Sequence, residues 1–396
     1  MKPWKLIIVA ALGYFVDVYD IILFGVVRKS SLADLGVTNI NIGLNLMNLQ
    51  MIGMVLGGII WGVLGDRIGR TKVLFGSILI YSLANLLNAF VFDTTTYGIL
   101  RFIAGIGLAG ELGAGITLVS ELMDKENRGW GTTVIAAFGV LGSVAASLIG
   151  DKFHWRTAYI IGGTIGLLLL FFRMKTFESG MFKKVPETNK GTFLQIMKNK
   201  AKRNTYLRCL TLGMPLWSVL GIFVMLAPEL GKLMGIPNLT AGDAFIAYSI
   251  GLSIGEVLSC IISQKLKDRR NVIACYLSLN AAGIILFSMM HDISKFQFQL
   301  ACFGLGLLGG YFVLFLSMAT EQFGTNIRAT VATTTPNFVR GAFVPISTAF
   351  QWLMPSIGFI PAGLSITMFS IMVGLWSLFY LKETFGRDLD YIEHIK

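Results

Sequence analysis

The stretch YFVDVYDIILFG, residues 14–25, places two aspartates in an otherwise apolar run. An aspartate at the centre of a bilayer costs about 2.5–3.5 kcal/mol, so Asp17 and Asp20 need a physical reason to be there. They are three residues apart and therefore share one face of a helix. Two neighbouring carboxylates in a low dielectric cannot both stay ionised cheaply, which predicts a proton-binding site. The alternative is a structural role, in which both carboxylates only bond to neighbouring helices.

Around this stretch the chain has the composition of a membrane protein. Of 396 residues, 54% are apolar and 14% are charged, and the mean hydropathy is +0.70. A spanning helix takes about 20 apolar residues, and the chain holds about twelve such segments. The predicted fold is therefore an all-α membrane protein with twelve transmembrane helices. The segments lie near residues 7–27, 43–64, 73–92, 97–120, 130–150, 157–174, 206–227, 244–264, 271–290, 299–320, 330–353 and 360–380.

The basic residues predict an orientation. Of 33 Lys and Arg residues, 25 lie in the tails and alternate loops that a cytoplasmic N-terminus places inside, and six lie outside. The remaining two, Arg101 and Arg340, lie within helices. This positive-inside bias predicts a multi-pass protein of the plasma (bacterial inner) membrane with both termini cytoplasmic, and the surplus charge needs no nucleic-acid partner. The first segment lacks a cleavage-site pattern, which predicts a retained first helix and not a signal peptide.

A basic segment divides the helices six and six. The predicted domains are an N-terminal bundle, a cytoplasmic linker, a C-terminal bundle and a cytoplasmic tail, at residues 1–174, 175–205, 206–380 and 381–396. The halves repeat each other at an offset of about 200 residues: ALGYFVD matches TLGMPLW, IGMVLGG matches IGLSIGE, and SELMDKENRG matches TEQFGTNIRA. Two bundles related by a pseudo-twofold axis predict alternating access to a central site, in a protein expected to be a monomer.

The loop GVLGDRIGRTK, residues 62–72, fits the pattern G-x-x-x-D-[RK]-x-G-[RK]-x-[RK]. With this loop the chain resembles the major facilitator superfamily, in which the motif forms a cytoplasmic gate. The resemblance implies a gate made by Gly62, Asp66, Arg67, Gly69, Arg70 and Lys72. The repeated loops keep an acid and an arginine seven positions apart, which extends the predicted gate to Glu121, Arg128, Glu321 and Arg328. The alternative is an ordinary positively charged turn.

The run RFIAGIGLAGELGAG, residues 101–115, contains a G-x-G-x-x-G match. A dinucleotide-binding fold needs a strand before this motif, whereas here an arginine precedes the glycines within one membrane-length helix. Close helix packing explains the glycines better, and the run resembles the R-x-x-x-G-x-G motif of the superfamily. We therefore predict no cofactor other than the proton as coupling ion. The cysteines have no metal-ligand spacing, so no metal is predicted either.

Two further patterns narrow the resemblance. Asp17, Tyr19, Asp20 and Gly25 form D-x-[FY]-D-x-x-x-x-G, which resembles the first helix of aromatic-acid and related metabolite proton symporters. That resemblance implies that both acids matter for transport. WRTAY and FESGMF resemble loop signatures that sugar porters share with organic-acid symporters, and GELGAG is closer to the sugar and phosphate porters.

Other charges at membrane depth complete the predicted site, because such residues normally face a cavity or one another. Glu111 and Glu256 join the two aspartates as predicted proton-coupling groups. Arg340 and Arg101 are predicted to hold a carboxylate, since a guanidinium offers two donors in a fixed geometry. The alternative for Arg340 is a structural ion pair with Glu256 or Glu111. The predicted site is lined further by Asn337, Gln50, Tyr14, Trp217 and Tyr311, with Tyr248 as an additional candidate.

The predicted function is proton-coupled symport of a small organic anion by alternating access. Four acids against two arginines leave a surplus of negative charge, so a carrier of a cationic or zwitterionic solute is the alternative, followed by a sugar porter. A membrane-embedded enzyme or receptor is disfavoured, because the sequence has neither a metal constellation nor a Ser-His-Asp arrangement.

Overall fold

The computed structural model describes the backbone of residues 3–68, 70–122, 128–177 and 193–386. Side chains are described for residues 8, 11–64, 72–111, 137–173, 193, 196–324, 327–328 and 330–386. The described chain is 86% helical and contains no strand. It forms two compact units, residues 1–190 and 191–396.

The first unit consists of six long helices. In chain order they are α1 Pro3–Asp34, α2 Ile40–Ile68, α3 Arg70–Asn88, α4 Thr94–Leu122, α5 Arg128–Lys152 and α6 Trp155–Phe177. All six overlap the apolar segments that the sequence predicts in this half. α1 packs against α5 and also contacts α4 and α6, so its predicted acidic face can meet two neighbouring helices.

The second unit is more interrupted. Its helices are α7 Phe193–Lys198, α8 Lys200–Ser218, α9 Ala227–Leu233, α10 Ala241–Leu266, α11 Arg270–Ser288, α12 Lys295–Gly309, α13 Phe312–Glu321, α14 Thr325–Gly341, α15 Phe343–Ile357 and α16 Phe359–Tyr380. α8 contains Pro215 and continues into a π-helical stretch, Val219–Val224. Proline removes a backbone donor, and the wider π-helix accommodates the loss of regular pairing.

Seven helices in the described residues are long and apolar enough to cross a membrane. They are Ile40–Leu64, Trp155–Arg173, Lys200–Val224, Ala241–Leu266, Arg270–Ser288, Lys295–Glu321 and Phe359–Tyr380. The all-helical membrane architecture is thus confirmed, whereas the number twelve and the domain boundaries stay predictions. α7 and the start of α8 fall within the predicted linker 175–205. α8 begins earlier than hydropathy indicated, because the Asn199 side chain caps it by accepting a hydrogen bond from the Lys202 backbone N–H.

The repeat is visible in how the helices pack within each unit. A Cβ atom added to Gly53 of α2 would overlap the Phe102 carbonyl of α4, and one added to Gly251 of α10 would overlap the Phe303 carbonyl of α12. The reverse contacts repeat too: Gly105 abuts Gln50, and Gly306 abuts Tyr248. Glycine at these positions lets two backbones approach closely.

We expect Gly306→Ala to lower the free energy of unfolding by about 1–3 kcal/mol, because the added methyl group must displace backbone of α10. The matched control is Gly304→Ala on the same helix, where an added Cβ has no neighbour within 4 Å. That control should be neutral or stabilising by about 0.5–1 kcal/mol. Thermal denaturation of both purified variants measures the difference. Equal melting temperatures would contradict the close α10–α12 contact.

Candidate functional site

The candidate site in the first unit is built on one side of α1. Gly13, Asp17, Asp20 and Phe24 follow the spacing i, i+4, i+7 and i+11, which places them on a single helical face. Both aspartate side chains are completely buried. This face meets α4: Gly13 abuts Glu111, and Phe24 contacts Tyr97. The predicted acidic pair therefore lies inside the helix bundle and away from the lipid.

Asp20 is held by Arg101 of α4. Its Oδ1 lies 3.6 Å from Arg101 Nη1, and its Oδ2 accepts a hydrogen bond of 3.3 Å from Gln50 Nε2 of α2. Arg101 Nη2 donates to Asn85 Oδ1 of α3 at 2.5 Å. Four helices thus meet at one ion pair, and all four side chains are nearly or fully inaccessible to solvent. Sequence reasoning missed Asn85, because a single asparagine in an apolar helix carries no pattern.

A second buried ion pair lies further along α4. Arg173 of α6 donates two hydrogen bonds to Glu111, from Nη1 to Oε2 at 3.1 Å and from Nη2 to Oε1 at 2.5 Å. A Cβ atom on Gly13 would overlap both side chains, so this glycine makes room for the pair. The bidentate geometry is the strong form of such contacts.

Arg173 adds a buried positive charge that the sequence analysis did not place within a helix. The sequence analysis counted it among the basic residues of the tails and loops because it lies at the end of an apolar run, yet it is buried within α6. The signal that could have found it is Glu111, since a buried acid requires a partner. A second missed arginine, Arg28, is also buried. It lies eleven residues beyond Asp17, about 16 Å along α1, with its stem against Gly43.

Asp17 lies between the two ion pairs. It is four residues beyond Gly13 and three before Asp20, which corresponds to about 6 Å and 4.5 Å along the helix axis. On this face the described side chains include three carboxyl groups and two guanidinium groups. The cluster therefore carries one negative charge when all its groups are ionised, and one bound proton makes it neutral.

The other predicted lining residues of the first unit have separate surroundings. Gln50 contacts Asp20 as described, whereas Tyr14 packs against Gly139 of α5. Gln50 therefore supports the cluster through Asp20. The contact of either residue with a substrate stays a prediction.

The predicted residues of the second unit lie on several helices. Tyr311 donates its hydroxyl to the Leu212 carbonyl at 3.0 Å, and Asn337 Nδ2 donates to the Thr333 carbonyl of its own helix at 3.2 Å. Arg340 is buried on α14, and Glu256 on α10 is partly exposed. Trp217, the remaining predicted residue of this unit, is buried at the end of α8.

Two aromatic side chains of this unit keep free hydrogen-bonding groups. Trp217 Nε1 and the Tyr248 hydroxyl are buried and have no hydrogen-bond partner among the residues that the structure describes. A buried polar group without a partner is unfavourable. Both groups are therefore candidates to bind a ligand that is polar at one edge.

Most of the predicted gate lies outside the described part of the chain. Gly62 is in α2 and Lys72 is exposed in α3. The side chains of Asp66, Arg67, Arg70, Glu121 and Arg128, together with Gly69, fall outside the described residues.

The gate residues of the second half are described. Glu321 pairs with Arg269, Oε1 to Nη2 at 2.8 Å, and Arg328 donates from Nε and Nη2 to the Phe323 carbonyl at 3.2 and 3.1 Å. Glu383, which the sequence did not single out, accepts from the Arg270 backbone N–H at 2.8 Å. Burial raises the pKa of the Glu383 carboxyl, but the backbone N–H donors at the start of α11 outweigh it and the pKa is lowered.

These features define a class: a multi-pass, all-helical membrane protein whose first half buries a network of paired charges. The chain belongs to the major facilitator superfamily, whose family model matches residues 10–345. This confirms the resemblance seen in residues 62–72, although residues 62–68 lie in α2 and 70–72 in α3 and not in a loop as predicted.

Its relatives are named as transporters. The chain is 28% identical to a putative metabolite transport protein of Haemophilus influenzae, with 98% of each chain covered. It is 27% identical to the putative niacin/nicotinamide transporter NiaP of Bacillus subtilis, covering 86% of this chain and 87% of that one. It is 24% identical to a benzoate transport protein of Acinetobacter baylyi, covering 83% and 78%. The family and these names support a transporter and not an enzyme.

The Glu111–Arg173 pair generates a stability prediction. Glu111→Gln should lower the free energy of unfolding by about 3–5 kcal/mol, because it removes the negative charge that faces the buried Arg173 guanidinium in a bidentate pair. The double variant Glu111→Leu with Arg173→Leu should be less destabilised than either single leucine variant. Lys295→Gln, which breaks the more exposed pair with Asp243, is the control and should cost about 0–1 kcal/mol. Strictly additive losses in the double variant would show that the two groups are not coupled.

Proposed function

We propose that this transporter is a proton-coupled symporter of a small aromatic monocarboxylate. The observation that carries the proposal is the cluster on α1, α4 and α6, with three buried carboxyl groups against two guanidinium groups. Such a cluster is neutral only with one proton bound. A neutral cluster is cheaper to enclose in a membrane interior than a charged one. Proton binding thereby favours the conformational change.

Arg101 supplies the link between proton and anion. While Asp20 is ionised, its carboxylate competes with a substrate carboxylate for the same guanidinium. When a proton neutralises Asp20, Arg101 loses its counter-charge and becomes available to the anion. The two ligands therefore strengthen each other's binding, and this coupling is reciprocal. Asp17 is close enough along α1 to share the proton with Asp20.

The substrate class rests on the relatives and on the second unit. Benzoate and niacin are flat rings with one carboxylate, and both are named for relatives, although the niacin relative is also named for the uncharged nicotinamide. We propose that the faces of Trp217 and Tyr248 pack against the ring, while their N–H and O–H groups, which have no hydrogen-bond partner among the described residues, bind its polar edge. Arg340 is the buried guanidinium of this unit that we propose for the same carboxylate chemistry.

Arg173 weakens the case for a cationic substrate. That alternative rested on an excess of two acids over the arginines at membrane depth. Counting Arg173 reduces this excess to one. We further propose that the segments around Asp66 and Glu321 gate the cytoplasmic side. The expected monomer, with both termini cytoplasmic and with no cofactor or metal, completes the proposal.

Uptake into proteoliposomes tests the function. The panel contains radiolabelled benzoate and nicotinate, their uncharged amides, one sugar and one amine, with and without an inward proton gradient. We expect the gradient to drive accumulation of one of the acids and of neither amide. Arg101→Gln should lower that uptake roughly 10–100-fold, the equivalent of a charge-assisted hydrogen bond of about 1.5–3 kcal/mol.

The aspartate variants separate coupling from binding. Asp17→Asn and Asp20→Asn should abolish accumulation against a gradient. The matched control is Asp292→Asn at a left-handed loop position, φ 50°, which asparagine tolerates, and uptake there should equal that of the wild type. Wild-type flux that ignores the gradient and persists in both aspartate variants would refute proton coupling. Accumulation of the sugar or the amine alone would refute the substrate class.

A further inference from the structure

Four aromatic side chains cover the Asp20–Arg101 pair on the side towards the end of α1. This aromatic quartet consists of Phe24, Tyr97, Trp155 and Tyr159, from α1, α4 and α6. Each is 2% exposed or less. The rings contact one another edge to face or stacked, with centroids 5.7–6.2 Å apart. None of them belongs to the predicted site or is used in the mechanism above.

The quartet contacts the face of the Arg101 guanidinium, whereas the hydrogen bonds are made at its edge. Arg101 Cζ lies 4.8 Å from the centroid of the Tyr159 ring and 6.0 Å from that of Phe24. A guanidinium over an aromatic face is attracted by the ring quadrupole, most strongly where water is excluded. Asp20 and Asn85 contact the guanidinium nitrogens, and Tyr159 covers its face.

Tyr159 is itself fixed in place. Its hydroxyl lies 2.7 Å from that of Tyr97, which is one helical turn before Arg101 on α4. Tyr97 stacks on Trp155, at 5.9 Å and 27°. Trp155 Nε1 in turn donates to Asp34 Oδ2 at 3.1 Å, at the end of α1. The ring that covers Arg101 is therefore tied to all three helices of the quartet.

The anchor at Asp34 does not titrate in the range where transport would respond to pH. Hydrogen bonds from Arg156 and then from Trp155 lower the pKa of the Asp34 carboxyl below its ordinary value. A carboxyl group with a lowered pKa is ionised above about pH 4 and loses its contacts only in stronger acid. A change of the transport profile near neutral pH must arise elsewhere.

We propose that Tyr159 is a positioning residue that holds the Arg101 guanidinium against Asp20 and thereby sets the pH dependence of transport. The proposal rests on the proton-coupled function above. Within the described side chains, α5 brings no charged group to this region before Asp151 at its end. Among the described side chains, the buried titratable or charged groups on the helices packed around Asp20 are Asp17, Tyr19 and Arg28 of α1, Tyr81 of α3, Tyr97, Arg101 and Glu111 of α4, and Tyr159 and Arg173 of α6.

Transport at different pH values tests this role. In Tyr159→Leu the guanidinium loses its aromatic cover and moves more freely from Asp20, and a carboxylate without a neighbouring cation keeps its proton to higher pH. We expect the pH of half-maximal uptake to rise by about one unit, equal to a tenfold change in proton affinity. Tyr159→Phe keeps the ring and should stay near the wild-type value.

Two further variants control for damage to the fold. Tyr276→Leu also removes a buried tyrosine, in the second unit, whose hydroxyl donates to the Gly255 carbonyl at 3.4 Å, and it should keep the wild-type midpoint. Phe24→Leu removes the more distant ring and should shift the midpoint in the same direction by less. A wild-type midpoint in Tyr159→Leu or, if that variant does not fold, in Phe24→Leu would overturn the proposal. An equal shift in Tyr159→Phe would also overturn it, since the hydroxyl and not the ring would then be responsible.

An infrared titration separates this proposal from the proposed function, because it needs no substrate. The protonated-carboxyl band that disappears in Asp20→Asn is followed against pH in lipid-reconstituted wild type and Tyr159→Leu. We expect the band to persist to higher pH in Tyr159→Leu. If the band titrates identically in both proteins, the positioning role is refuted even when uptake is proton-coupled. If the band shifts but uptake ignores the proton gradient, Tyr159 positions Arg101 and only the symport mechanism fails.

Discussion

The pairing of charges that the membrane interior would otherwise exclude is the constraint on which the first unit depends. A buried carboxylate or guanidinium is tolerated only with a partner and with hydrogen bonds that replace water. Asp20 and Arg101 meet this requirement with the help of Gln50 and Asn85, and Glu111 meets it with Arg173. Because each pair joins different helices, the same contacts that make the charges tolerable also fix how α1, α4 and α6 lie against one another.

The two units share a packing scheme and differ in what they bury. Glycines at equivalent positions bring α2 against α4 and α10 against α12. Trp61 and Ser259 occupy equivalent places on α2 and α10, and each donates to a carbonyl of the opposite helix, at 2.6 and 2.7 Å. The first unit has continuous helices and buried ion pairs. The second unit has a π-helical stretch, a break after Gly309 and aromatic donors that have no hydrogen-bond partner among the described residues.

This difference suggests a division of chemistry between the halves. A buried ion pair can change its net charge by one proton, and it responds to whatever competes for either partner. Aromatic rings with unpartnered donors change no charge but can recognise a flat, polar-edged ligand. On the proposed function, the first unit couples to the proton and the second contributes neutral contacts to the anion. Arg340 is the exception, as a buried cation of the second unit.

Much of the protein could be predicted from its sequence because the relevant signals are local. Hydropathy identified the six long helices of the first unit, an i, i+3 spacing identified Asp17 and Asp20 as neighbours, and one sequence motif indicated the family. Partners were not predictable, because they come from residues far apart in the chain that only packing brings together. Arg173 lies 62 residues from Glu111, and Asn85 lies 16 from Arg101. Apolar periodicity says which side of a helix is buried, but only the tertiary structure decides which buried charges meet.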